Sequence, residues 1–266
     1  MLETIQSRYY IFLGNKYAMD IKMKAYFFCF LIILLSPAWT FSFGNETIGS
    51  YVEAKHIFDT VIYRDHRVTI YCGFSYDRNK DIYLPEDFII SSFPTRAAKM
   101  EREHVVPVEN FGRAFVEWRE GSPRCVDNQG KSFKGRKCAE TASERFRMME
   151  ADLHNIFPSV GCVNAARRNF NFEELGSSGR ELFGSACPIK FSGRKVEPPA
   201  RAKGVVARAY LYMDWAYPEY RMSHQQKRLM ETWDTSYPPD DWECERNRRI
   251  KDTQGNGNPF VDRKCH

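Results

Sequence analysis

Residues 102–107 read REHVVP: Arg102, Glu103, His104, Val105, Val106, Pro107. Two β-branched residues before a proline describe extended chain that soon stops pairing. Proline has no N–H, and it drives its predecessor towards β or polyproline geometry. The stretch therefore ends a strand with a carboxylate beside an imidazole. A carboxylate binds hard cations, and an imidazole takes a proton near neutral pH. Successive strand side chains point to opposite faces. Glu103 and His104 can thus serve one site only where the backbone leaves regular strand geometry, and the approach of Pro107 provides for that. The plain alternative for any isolated Glu-His pair is a solvated strand end, so the rest of the chain has to decide.

Upstream, Ala25 to Leu35 (AYFFCFLIILL) is an apolar run behind Lys22 and Lys24 and ahead of SPAWTFS. A basic start, a short apolar stretch and small residues near a cut describe a secretory signal. At about 1.5 Å per residue the run is too short to cross a ~30 Å hydrocarbon core. Met23 opens MKAYFFCFLIILL, so residues 1–22 read as a mis-called start or a leader extension. The expectation is a signal over 1–42 and a mature domain over 43–266, in the periplasm or secreted, with no stable membrane association once the signal is removed. Of the eight cysteines, seven then remain: Cys72, Cys125, Cys138, Cys162, Cys187, Cys244 and Cys265. An oxidising compartment favours bridging most of them. Cys125 with Cys138 and Cys244 with Cys265 each flank a polar loop and suit local staples. The odd count leaves at least one thiol over, and no CxxC spacing points to zinc or redox chemistry.

The chain carries 39 Lys+Arg against 34 Asp+Glu, too mild an excess to argue for nucleic acid by itself. Its distribution says more: NAARRNFNF, KFSGRKVEPPARAKGVVAR and ERNRRIK concentrate positive charge, and basic clusters interleaved with aromatics suit phosphate contacts. Arg167, Arg168, Arg201 and Lys203 are the candidate nucleic-acid contacts, against the plainer reading of a solvated basic face. Tyr51 to Phe58 reads as a helix start, VTIYCGFSY as a strand, and 75–100 as loop-rich. ENFGRAFVEWREG places Phe111, Phe115 and Trp118 at helical spacing as core residues, with Gly121 as the stop. TASERFRMMEADLHNIFP reads as a Thr/Ser-capped helix running to Pro158. Further helices are expected in SVGCVNAARRNF, in EPPARAKGVVARAYLYMDWAY and in the Ser-capped SHQQKRLMETWDTSYP. No Pro/Ser-rich linker divides the mature chain, which makes it a single mixed α+β domain.

Hydrolysis of a phosphodiester needs an activated water, a charge clamp on the phosphoryl oxygens and a proton for the leaving oxygen. A hard divalent cation and a neutral imidazole together supply these. Glu103 and His104 fit that scheme with one oxygen ligand missing. Asn164, a poor helix former inside a helical stretch, is the candidate for it. At this point EREHVVPVENFG, MEADLHNIFPSVGCVNAARRNFNF, ARAKGVVARAYLYM and WECERNRRIKDTQGNGNPFV, in that order, resemble the bacterial endonuclease I family of periplasmic or secreted nucleases. The resemblance spans roughly Val68 to Cys265. It implies a ββα-metal (His-Me finger) site inside the α+β domain, and sequence-nonspecific cleavage of double- and single-stranded DNA, often of RNA, to 5′-phosphates. By motif position it implies that Glu103 and Asn164 bind Mg²⁺ (or Mn²⁺ or Ca²⁺), that His104 is the general base, and that Arg124 binds phosphate. The protein is expected to act as a monomer.

Glu150, Asp152, His154 and Asn155, in EADLHN, read as groups supporting the site. Glu150 and His154 are spaced to share a helix face, and a zinc site there is the sharper alternative. Two departures stand out from the family pattern. Phe74 occupies a place in YCGF where a thiol is expected, and Cys162 lies two residues before Asn164 where a non-cysteine is expected. Both bear on disulfide pairing rather than on the reaction. The competing class is a catalytically silent exported nucleic-acid-binding protein, which has no need of a base beside a metal ligand. A small-molecule phosphodiesterase would want a closed pocket.

Overall fold

The computed structural model describes residues 43–265, so the expected signal over 1–42 lies outside the described residues. Helix α1 (Tyr51–Ile57) begins where a helix is expected: Ser50 Oγ accepts from Glu53 N, and Glu53 Oε2 accepts from Gly49 N in return. It continues into a π-helical turn, Phe58–Ile62. The next stretch corrects the expectation of a strand over VTIYCGFSY. Gly73 takes φ +75°, its N–H bonds back to Thr69 O, Phe74 N–H donates to Thr69 Oγ1, and Phe74 O accepts from Thr69 N. The segment folds onto itself, leaving only isolated bridges such as Val68 to Ser75.

After the loop-rich stretch come α2 (Pro94–Ala97) and strand β1 (Met100–His104), which stops at His104 as the Val-Val-Pro exit requires. Helices α3 (Val108–Gly112) and α4 (Val116–Arg119) split the longer helix expected there. Phe111, Phe115 and Trp118 nonetheless converge on Phe146, with ring centroids 6.1, 5.3 and 5.9 Å away. Helix α5 (Arg136–Ala142) precedes α6 (Glu144–Glu150), which is capped by Ser143. The helix expected to reach Pro158 ends at Glu150. Asp152 caps a single 3-10 turn over Leu153–Asn155, and β2 (Ile156–Val160) then pairs antiparallel with β1, His104 against Ile156 and Arg102 against Pro158. Proline is tolerated because a two-stranded ladder has free edges, and Pro158 O accepts Ile70 N. Helix α7 (Gly161–Arg167) follows at once and lies on both strands. Its start sits so close to α2 that a Cβ on Gly161 would come 2.4 Å from Arg96 O. β1, β2 and α7 make the expected ββα unit.

A second sheet, ordered β3-β6-β5-β4, is built from β3 (Asn171–Phe172), β4 (Arg180–Glu181), β5 (Lys190–Ser192) and β6 (Lys195–Glu197). Helices α8 (Ala200–Ala216), α9 (His224–Ser236), α10 (Asp241–Gln254) and α11 (Pro259–Asp262) complete the α+β unit, with Pro199 and Ser223 preceding α8 and α9 as their sequences indicate. Among the described residues no helix is long and apolar enough to cross a membrane. Cys125–Cys138 and Cys244–Cys265 are bridged as their loops suggest. The third bridge, Cys72–Cys187, joins residues 115 apart and ties the 69–74 reversal to the loop before β5. Cys162 is the buried free thiol, pushed up to about 11 by burial.

Candidate active site

Helix α7 and strand β1 meet through two rungs, one a hydrogen bond from a neutral amide and one an ion pair. Asn164 and Arg167 lie three residues apart, on one helix face. Glu101 and Glu103 lie two apart, on one strand face. Asn164 Nδ2 donates to Glu101 Oε2 at 3.0 Å, and Arg167 Nη1 donates to Glu103 Oε1 at 3.1 Å. Glu101 is itself clasped by Arg96. Tyr71 Oη donates to the same Glu103 oxygen at 3.0 Å. Glu103 Oε2 and Asn164 Oδ1 are thereby left without a protein partner among the described residues. Burial pushes the Glu103 carboxyl up to about 7, against the pull of Arg167 and Tyr71. Two free oxygens, one on a carboxylate whose charge the protein only partly offsets, suit a hard divalent cation and not a soft one.

His104 leaves the strand on the other face. Its Nε2 lies 2.8 Å from Glu150 O. A carbonyl only accepts, so Nε2 carries the hydrogen and Nδ1 keeps the lone pair of the neutral ring. Burial, with Arg136 and Arg167 adding to it, pushes the imidazole down to about 4. His104 is thus neutral at pH 7 with a basic nitrogen free. Its backbone is fixed as well: Arg167 Nη1 donates to His104 O at 2.9 Å, and its Nη2 bonds Val105 O. Asn155 brackets Val106 with both amide atoms, at 2.7 and 2.9 Å. The turn before Pro107 is therefore built by residues about 50 and 60 positions downstream.

The arginines and lysine assigned to phosphate from sequence have different fates. Arg167 is a correction: it is fully buried beneath β1, its guanidinium shared among Glu103, two backbone carbonyls and Tyr210 Oη. Lys203 is a second correction, buried and paired with Glu174 at 2.7 Å and Glu197 at 2.9 Å. Arg201 is exposed, with its guanidinium over Gly73, beside a cavity lined by His66, Phe157 and Trp242. Arg168 is exposed at the C-terminus of α7 with φ +53° and has no hydrogen-bond partner from its side chain among the described residues. Arg124 is exposed and reaches only Ala142 O, at 3.4 Å. It makes no hydrogen bond to Glu103 or His104.

Arg136 is the cation beside the imidazole, and the sequence reading missed it. Its Nε is held by Glu150 Oε1 at 2.5 Å and Glu140 Oε1 at 3.1 Å, and its two terminal nitrogens have no protein partner among the described residues. The signal lay in FKGRKC: Gly135 takes φ +81° and starts α5, which carries Arg136 across to the helix whose last carbonyl holds His104.

Glu150 supports the site doubly, by its carbonyl and by its carboxylate, which burial pushes up to about 7 against the pull of Arg136. Asp152 is buried and accepts from His154 N, Gln254 Nε2, Asn45 N, Tyr212 Oη and Tyr217 Oη. His154 Nε2 meets Asn256 O at 2.9 Å. Because α6 ends at Glu150, Glu150 and His154 do not share a helix face, and the zinc alternative fails there. Among the described residues no group of three or more His, Cys, Asp or Glu could hold a metal.

With this geometry in view, comparison with known proteins is specific. The family model described as Endonuclease I matches residues 64–265. The chain is 35% identical over 242 residues to an extracellular deoxyribonuclease of Aeromonas hydrophila, covering 89% of this chain and 96% of that protein. It is 38% identical over 209 residues to a periplasmic deoxyribonuclease of the same organism, covering 77% and 82%. It is 31% identical over 228 residues to an endonuclease-1 of Buchnera aphidicola, covering 84% and 85%.

Proposed function

The chain belongs to the endonuclease I family, and from that premise we propose that it is an exported, metal-dependent endonuclease. It hydrolyses phosphodiester bonds of double- and single-stranded DNA, and of RNA, without sequence preference. The observation that carries the reading is the set of atoms left without protein partners around β1: Glu103 Oε2, Asn164 Oδ1 and His104 Nδ1, with the terminal nitrogens of Arg136 beside the imidazole.

Glu103 and Asn164 would hold a divalent cation, whose oxygen donors suit Mg²⁺, Mn²⁺ or Ca²⁺. When bound, that cation supplies positive charge at the phosphoryl group and at the departing oxygen. His104 Nδ1 takes a proton from the attacking water, while Glu150 O keeps the Nε2–H tautomer in place. Arg136 donates to a non-bridging phosphate oxygen and offsets the charge that builds there. The water oxygen bonds to phosphorus as the P–O3′ bond breaks, the 3′ oxygen takes a proton from solvent water, and a 5′-phosphate remains. Lys and Arg side chains facing the backbone give affinity without base readout, so binding falls steeply with salt.

Supercoiled plasmid incubated with the mature protein is expected to be nicked and then degraded, with EDTA abolishing the reaction. End-labelling should find 5′-phosphates. Binding curves on unrelated duplexes should superimpose at one ionic strength. Intact plasmid in the presence of Mg²⁺, Mn²⁺ and Ca²⁺ in turn would refute the proposal.

A further inference from the structure

The single hydrogen bond from His104 Nε2 to Glu150 O fixes one atom of the imidazole. That bond by itself does not set the tilt of the ring plane, which decides where Nδ1 points. A side chain packed against the ring does. Tyr51 packs there: its ring centroid lies 5.0 Å from that of His104, tilted by 41°. The same phenol ring carries the Arg136 guanidinium at 5.6 Å, so the imidazole and the cation beside it share one aromatic neighbour.

We propose that Tyr51 is a positioning residue, whose ring holds the His104 imidazole and the Arg136 guanidinium in their working places. The inference rests on the reading of His104 as the base. Tyr51 opens α1, in a segment that lies before the residues 64–265 matched by the family model. The site is thus completed from outside that span.

The segment is anchored well enough for the task. Glu53 sets the backbone on either side of Tyr51, its N–H donating to Ser50 Oγ and its carboxylate accepting from Gly49 N. Upstream, Asn45 is fully buried, and its backbone N–H is shared between Asp152 Oδ2 at 3.2 Å and Tyr217 Oη at 2.8 Å. The Asn45 side chain ties its own loop to α6 by donating to Met148 O at 2.8 Å. Asp152 stands two residues after Glu150. The carbonyl that holds one edge of the imidazole and the anchor that delivers the ring against its face therefore come from the same short stretch, 148–152. The Tyr51 hydroxyl has no protein partner among the described residues, so the flat ring, rather than the phenol oxygen, carries the role.

Steady-state cleavage by Tyr51→Leu, Tyr51→Phe, His104→Ala and the Tyr51→Leu/His104→Ala pair tests this. Misplacing a reacting group by ~1 Å costs up to about 10²-fold, and a general base is worth about 10²–10⁴-fold. Tyr51→Leu should therefore lower kcat by about 10–100-fold with KM within about threefold, and Tyr51→Phe should recover most of that loss. In the His104→Ala background, Tyr51→Leu should cost clearly less than in the native one, since only the placement of Arg136 remains for the ring to serve. The Nε2–H signal of His104 in ¹⁵N spectra should be a single sharp line in the native protein and exchange-broadened in Tyr51→Leu. Should Tyr51→Leu fail to fold, Tyr51→Met, which keeps the volume but not the flat ring, is read in the same way. A kcat within about twofold of native in the leucine variant, or an equal fold loss with and without His104, would overturn the proposal. Native rates in His104→Ala would instead overturn the reading of the base.

Discussion

Replacing Arg167 by methionine separates its place in the core from the phosphate-binding role its sequence position suggests. The guanidinium donates to Glu103 Oε1, to the carbonyls of His104 and Val105, and to Tyr210 Oη, all buried. Methionine keeps the volume but leaves the Glu103 carboxylate with Tyr71 alone, and two carbonyls unpaired. Breaking a buried pair by removing one partner costs about 3–5 kcal/mol. For a domain of this size each kcal/mol is worth roughly 2–4 °C, so Tm should fall by roughly 6–20 °C. Glu103, already pushed up to about 7 by burial, should rise further without its cation. Adding Glu103→Gln removes the stranded charge and should recover part of the loss. Thermal melts with intact disulfides measure this directly. The salt dependence of DNA binding, taken in EDTA to prevent cleavage, supplies the contrast. A phosphate-contacting arginine contributes about 0.9 to the slope of log K against log salt, and Arg167→Met should leave that slope unchanged wherever the variant is folded. A variant with native Tm and a slope reduced by about one unit would refute the reasoning.

The His104 ring should titrate in NMR near pH 4 rather than 6.5, since burial holds its folded-state value down at about 4. Between these values the unfolded chain binds the extra proton, so the contribution of His104 to stability is present above about pH 6.5 and is lost as pH falls towards 4; a ring titrating at 6.5 in the folded protein would contradict this. Arg136→Ala should lower kcat by about 10²-fold, as loss of one donor to the developing charge does, while Arg124→Ala stays within about twofold; the reverse order would restore Arg124 to the site. Non-reducing peptide mapping should find Cys72–Cys187, Cys125–Cys138 and Cys244–Cys265, with Cys162 alkylated only after unfolding. Each bridge lost on reduction should cost about 2–5 kcal/mol, and free thiols at these six positions would refute the pairing. Glu103→Ala and Asn164→Ala should weaken Mn²⁺ binding measured by calorimetry, with Asn164→Asp retaining more than Asn164→Ala; native affinity in both alanine variants would remove both residues from the cation site.

Local chemistry made much of this molecule legible in the linear sequence. Val105-Val106-Pro107 had to end a strand, Ser143 and Ser223 had to cap helices, and the two cysteine pairs flanking short loops could close without help from elsewhere. These features depend on neighbours within a few residues, where propensity and hydrogen-bond geometry decide the outcome. The strand expected over 68–76 failed because Gly73 and Thr69 allow a reversal that the alternation of apolar residues does not register. The helix expected to reach Pro158 failed because Asp152 caps a new turn, and pairing with β1 then claims 156–160.

What the tertiary structure alone decided is which cations face water. Arg167, Lys203, Arg124 and Arg136 look alike in the sequence, each a basic residue near a plausible motif. Arg167 is drawn under β1 by Glu103, 64 residues away. Lys203 is drawn in by Glu197, at the end of β6, and by Glu174, just after β3. Arg136 and the imidazole share Glu150 because α5 and α6 bring that residue to both. Cys72 found Cys187 across 115 residues for the same reason. A side chain's charge is a property of its own atoms and can be read from the sequence. Whether that charge is solvated or desolvated depends on segments far apart in the chain, and it is packing that brings those segments together.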